Sequence, residues 1–119
     1  MRVFFIGTVE FSKKMLETLL EVPNAKVVGV ATKATSKFNA DHSDLSDIAK
    51  QNNIPYKYVK DINNPKYIDW IKSLNPDVIY CFGWSSLIKK DLLELTELGV
   101  IGYHPAKLPQ NRGRHPLIW

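Results

Sequence analysis

At 119 residues the chain has room for one domain, able to bury roughly two thirds of the surface its unfolded form exposes. Hydrophobic residues make up 45% of it, yet no apolar run nears the ~20 residues that cross a bilayer, and Met1-Arg2 lead into a run too short for a signal peptide, so a cytoplasmic protein with no membrane partner is expected. The net charge of +4 favours an anionic partner, although the lysines are scattered, and the single cysteine, Cys81, excludes an intrachain disulfide and has no metal-spaced companion.

Arg2 to Ile6 reads as a first buried strand, closed by Gly7. Phe11, Met15, Leu16, Leu19 and Leu20 then recur three and four apart, the spacing of one apolar helix face, and Pro23-Asn24 ends that helix. Lys26 to Ala31 is a second strand. Thr32 to Ser43 is polar and aperiodic and is expected as an exposed loop, with His42 in solvent. Ser43 or Asp44 can cap a helix whose face is Leu45, Ile48 and Ala49. Tyr56 to Val59 is a short strand, and Asn64-Pro65 combines a cap oxygen with a proline at the first helical position. Tyr67, Ile68, Ile71 and Leu74 form the stripe of that third helix. Val78 to Phe82 is apolar enough to be the central strand of a parallel sheet, and Gly83 permits a sharp bend. Ile88 to Leu95 is expected as a short helix and Gly99 to Tyr103 as a buried strand that delivers His104 at its carboxyl end. Strands alternating with helices predict an α/β domain of Rossmann-like type, an open, mainly parallel sheet flanked by helices, with its ligand crevice beyond the carboxyl ends of the strands.

The first strand-to-helix turn, Gly7-Thr8-Val9-Glu10-Phe11, lacks the second and third glycines of a dinucleotide fingerprint, and Val9 and Phe11 crowd a pyrophosphate. A nicotinamide or flavin dinucleotide is therefore not expected, while Thr8, Glu10 and Phe11 should face the crevice. Gly102 to Pro116 is the richest segment. It holds His104, His115, Arg112 and Arg114 in a stretch too broken by proline to be helical. A histidine exchanges protons near neutral pH, and forked guanidinium donors suit an anion or a surface carboxylate equally. Cys81 reads as a buried strand thiol.

The segment around His104, Leu108, Pro109, Arg112 and Gly113 resembles the signature of the 10-formyltetrahydrofolate-dependent formyltransferases, Asn-x-His-x-Ser-Leu-Leu-Pro followed by Arg-Gly. Phe4 to Ser12 is similar to that family's first strand and turn, and Cys81-Phe82-Gly83-Trp84 with Leu87 resembles its folate-side loop. The resemblance implies transfer of a formyl group from 10-formyltetrahydrofolate to a primary amine. It implies His104 as the catalytic residue, Phe82, Gly83, Trp84 and Leu87 as folate-binding, and Thr8, Glu10, Phe11, Arg112 and Arg114 as acceptor-binding, with no metal. Gly102 stands where the family has its asparagine, and the family's catalytic aspartate lies downstream of the Arg-Gly, beyond Trp119. The apolar end Pro116-Leu117-Ile118-Trp119 predicts that residues 1–119 are the N-terminal part of a catalytic domain, inactive alone.

The Arg112 to Leu117 run looks most like the sugar N-formyltransferases, so the expected acceptor is an amino sugar carried on a nucleotide. Methionyl-tRNA formyltransferase is the near alternative and is the one reading that calls for a nucleic acid; glycinamide ribonucleotide formyltransferase is third. A noncatalytic folate- or nucleotide-binding fragment is the reading from another class. The oligomeric state is left open.

Overall fold

The computed structural model describes residues 1–35, 40–84 and 86–103. Five strands, β1 (Arg2–Ile6), β2 (Lys26–Thr32), β3 (Tyr56–Tyr58), β4 (Val78–Phe82) and β5 (Val100–Tyr103), form one sheet in the order β3-β2-β1-β4-β5. Every pairing is parallel. Helices α1 (Glu10–Leu20), α2 (Ser46–Gln51), α3 (Pro65–Ser73) and α4 (Lys90–Leu93) connect them.

Side chains alternate across a strand, so each face of the sheet needs its own cover. Val3, Phe5, Val78 and Phe82 point to one face and pack with Leu16 and Leu19 of α1 and Ala49 of α2. Phe4, Ile6, Ile79 and Cys81 point to the other and pack with Ile71 of α3 and Leu92 of α4. Helices thus lie on both faces, the arrangement the alternating pattern predicted.

Local signals set the helix ends. The Asn64 side chain accepts from the Lys66 backbone N–H at 3.0 Å, with Pro65 at the first helical position. Asn53 and Asn75, with φ of 56° and 54°, carry the chain out of α2 and α3 in the left-handed conformation asparagine tolerates. Arg2 reaches from β1 to the spent end of α3, donating to the carbonyls of Leu74 (2.7 Å) and Asn75 (3.0 Å).

Two positions in the sheet follow from these pairings. Among the described residues the middle strand is β1, with two strands on either side, and β4 is interior beside it. β5 is the outermost strand on its side among the described residues, and there Val100 is buried while Ile101 is 43% exposed. An apolar run reports burial of a strand but not its rank in the sheet.

Candidate active site

The chain builds β1, β2 and β3 in one direction, then returns to the far side of β1 to add β4 and β5. The strand order reverses between β1 and β4, the switch point beyond whose strand ends open parallel sheets bind their ligands. Gly7 and Gly83, the residues that follow β1 and β4, flank it.

Close approach of the two turns dictates both glycines. A Cβ on Gly7 would lie 2.5 Å from the Ser12 Cβ and 2.6 Å from the Phe82 carbonyl oxygen. Gly83 has φ +71°, and a Cβ there would overlap Val9 and Ser12. The buried Ser12 hydroxyl joins the turns: it accepts from the Val9 N–H at 3.2 Å and donates to the Phe82 carbonyl. Sequence reading gave Ser12 no role of its own, because nothing local marks a serine in the first turn of a helix as a bridge to a strand 70 residues away.

The residues expected at the site are placed as follows. Phe82 is 9% exposed and its ring meets those of Phe5, Tyr80 and Phe11, the last edge-on at 6.0 Å between centroids. Phe11 remains 44% exposed and Leu87 63% exposed, leaving apolar surface near the ends of β1 and β4. Trp84 is instead buried with the core under α3 and α4, the Lys33 ammonium 4.6 Å over its ring and its indole N–H without a hydrogen-bond partner among the described residues. Glu10 is exposed, and its backbone N–H donates to the Asp41 carbonyl at 2.9 Å. Thr8 does not face the crevice with its side chain. It is 3% exposed, and its hydroxyl sits 3.4 Å from both the Lys33 and Ser43 carbonyls. His104, Arg112, Arg114 and His115 lie outside the described residues.

The 40–43 stretch is a second correction. The expectation of an exposed loop with a solvent histidine overlooked tertiary pairing. The Ser43 N–H donates to the Thr8 carbonyl at 2.8 Å, Val9 and His42 form an antiparallel bridge, and the half-buried His42 places Nε2 2.8 Å from the Lys33 carbonyl. A polar segment without periodicity gives no sign of such pairing, since backbone groups make it.

On the β4 side, Asn63 emerges as a residue sequence reading missed. Its Nδ2 donates to the Leu87 carbonyl at 2.8 Å and its Oδ1 accepts from the Lys89 N–H at 2.9 Å. Cys81, by contrast, is inert: burial pushes its thiol up to about 12. No group of three or more metal-binding side chains exists among the described residues.

Residues 1–119 match, along their whole length, the family described as Formyl transferase. The chain belongs to this family. It is 34% identical over its full length to methionyl-tRNA formyltransferase of Clostridioides difficile and 34% identical to that of Citrifermentans bemidjiense, covering 40% and 38% of those proteins. Over 56% of its length it is 41% identical to the bifunctional polymyxin resistance protein ArnA of Wigglesworthia glossinidia brevipalpis, of which it covers 10%. Among solved structures, glycinamide ribonucleotide transformylase 1 of Symbiobacterium toebii superposes with a TM-score of 0.66 at 13% identity, over 91% of this chain and 53% of that one. Phosphoribosylglycinamide formyltransferase of Anaplasma phagocytophilum gives 0.65 at 21%, over 92% and 52%. At such identities the likeness is one of fold. Within the formyl transferase family, then, the chain spans about two fifths of the length of these full-length relatives.

Proposed function

We propose that residues 1–119 are the N-terminal part of a formyltransferase catalytic domain that moves a formyl group from 10-formyltetrahydrofolate to a primary amine. The observation that carries this reading is the reversal of strand order between β1 and β4, beyond which lie two interlocked glycine turns and the exposed apolar side chains of Phe11 and Leu87. Exposed apolar side chains of this kind suit the flat, largely apolar face of a pterin, and backbone groups beyond β4 suit its ring edge. Phe82, Gly83, Trp84 and Leu87 form the donor side, Phe82 and Trp84 from within the core and Leu87 by direct contact. Thr8, Glu10, Phe11, Arg112 and Arg114 belong to the acceptor side, where Thr8 acts by fixing the turn.

When bound, 10-formyltetrahydrofolate supplies the carbon that the amine attacks. His104, following β5, takes the proton the amine loses and returns one to the departing nitrogen, a role suited to a group that titrates near neutrality. Gly102, opposite Cys81 in the sheet, has no side chain to give the oxyanion a donor, so that contact falls to His104 or to a backbone N–H.

The Arg112-Gly113-Arg114 run supports a nucleotide-linked amino sugar as acceptor, since guanidinium forks hold phosphates bidentately. The names of the full-length relatives favour a second reading, in which the amine is that of methionyl-tRNA. Assay of the full-length protein with 10-formyltetrahydrofolate against a panel of amino-sugar nucleotides and against charged methionyl-tRNA separates the two. Formylation of neither, by protein shown to bind a folate analogue, would overturn both.

A further inference from the structure

We propose that Asn63 is a positioning residue for the donor side of the site, its carboxamide holding the backbone of Leu87 to Lys89 in the conformation that receives the folate. This rests on reading the stretch beyond β4 as the donor-binding loop. The start of that stretch is fixed by Gly83, lodged against Val9 and Ser12. Its end is tied by two hydrogen bonds of the Asn63 side chain, to the Leu87 carbonyl and from the Lys89 N–H, while Ile88 between them packs against the core.

The clamp is itself held. Asp61 Oδ1 accepts from the Asn63 N–H at 3.0 Å, and the next residue, Asn64, donates its N–H to the Asp61 carbonyl and caps α3. Lys89 in turn begins α4, its carbonyl accepting from the Leu92 and Leu93 N–H groups. Asn63 therefore links the start of α3 to the start of α4, both on the carboxyl side of the sheet.

A carboxamide carries a donor and an acceptor side by side on separate atoms, which suits a carbonyl and an N–H two residues apart. Fixing both leaves the backbone around Ile88 little freedom. A loop held in its receptive form spares the ligand the cost of ordering it, so loss of the clamp should appear as weaker donor binding.

The test uses the full-length protein, as wild type, Asn63→Ala and Asn63→Asp, with 5-formyltetrahydrofolate as the probe. Alanine loses both bonds; aspartate keeps the acceptor for Lys89 but turns a carboxylate toward the Leu87 carbonyl. Expected for Asn63→Ala are about tenfold weaker folate binding, a donor KM raised by a similar factor with the acceptor KM unchanged, and faster exchange of the Lys89 amide by NMR. Asn63→Asp should keep Lys89 protected while still weakening folate. Wild-type folate affinity in folded Asn63→Ala, or unchanged Lys89 exchange, would overturn the proposal. Failure of the wild type to bind the probe would overturn the donor-loop reading instead, and the Lys89 exchange would still report whether the clamp exists.

Discussion

Gly83 and Ser12 sit on opposite sides of one contact, and they should respond differently to substitution. Gly83→Ala adds a methyl group that overlaps Val9 and Ser12 and forces an L residue to hold φ +71°. Left-handed backbone costs about 1–2 kcal/mol and overpacking about 1–3 more. Ser12→Ala keeps the packing but strips partners from the Val9 N–H and the Phe82 carbonyl, at about 1–3 kcal/mol. Urea unfolding should therefore rank Gly83→Ala below Ser12→Ala in stability, with both below wild type; the reverse order would mean that the turns are free to separate. Cys81 offers a simpler measurement. Buried in β4 with its thiol pushed up to about 12, it should resist maleimide in the native protein near pH 8 and react fully once denatured. The raised value also sets a sign: its contribution is whole below the unfolded thiol's ~8.5 and is lost as the pH climbs toward the folded value.

Among elements, the stretch before α2 carries a pH-dependent contact. Burial raises the Asp44 carboxyl, but the Ser46 N–H at 2.8 Å and the hydroxyls of Tyr58 and Ser46, aided by the charge of His42, outweigh it and hold it below its ordinary value. A depressed carboxyl stabilises the fold above its unfolded pKa of ~3.9, and that contribution disappears as the pH falls through the folded value. Asp44→Asn, neutral at every pH, should lower Tm at neutral pH and converge with wild type once the pH has fallen through the folded value of Asp44. A gap that persists in acid would trace the loss to shape instead of charge. Because Tyr58 belongs to β3, this contact ties α2 to the edge strand, and it was invisible in a sequence where Asp44 read only as a cap.

For the whole molecule, the sheet order decides where chemistry can occur. Phe82 in β4 pairs with Tyr103 in β5, so β5 ends level with the end of β4, one residue before His104. On the proposed reaction, His104→Ala and His104→Asn in the full-length protein should each lower kcat by about 10²–10⁴-fold with little change in folate affinity. Near-normal turnover by either folded variant would remove His104 from the mechanism. The 119-residue chain assayed beside them should transfer formyl groups little or not at all.

The α/β class, the five strands and four helices and most of their ends were legible in the sequence, because apolar periodicity, asparagine caps and proline at a helix start are local properties that each segment carries by itself. The residues proposed for the donor side stood out as a motif, and Gly7 and Gly83 were legible as turns. Tertiary structure alone decided that β1 lies in the middle of the strands described, that Thr8 and Trp84 turn inward, and that His42 pairs where solvent was expected. It alone brought Ser12 to Phe82 and Asn63 to Leu87 and Lys89, across 70, 24 and 26 residues. The physical reason is common to these cases. Each depends on which backbone groups lie opposite one another after the strands have been ordered, and a side chain's composition carries no record of a partner so distant along the chain.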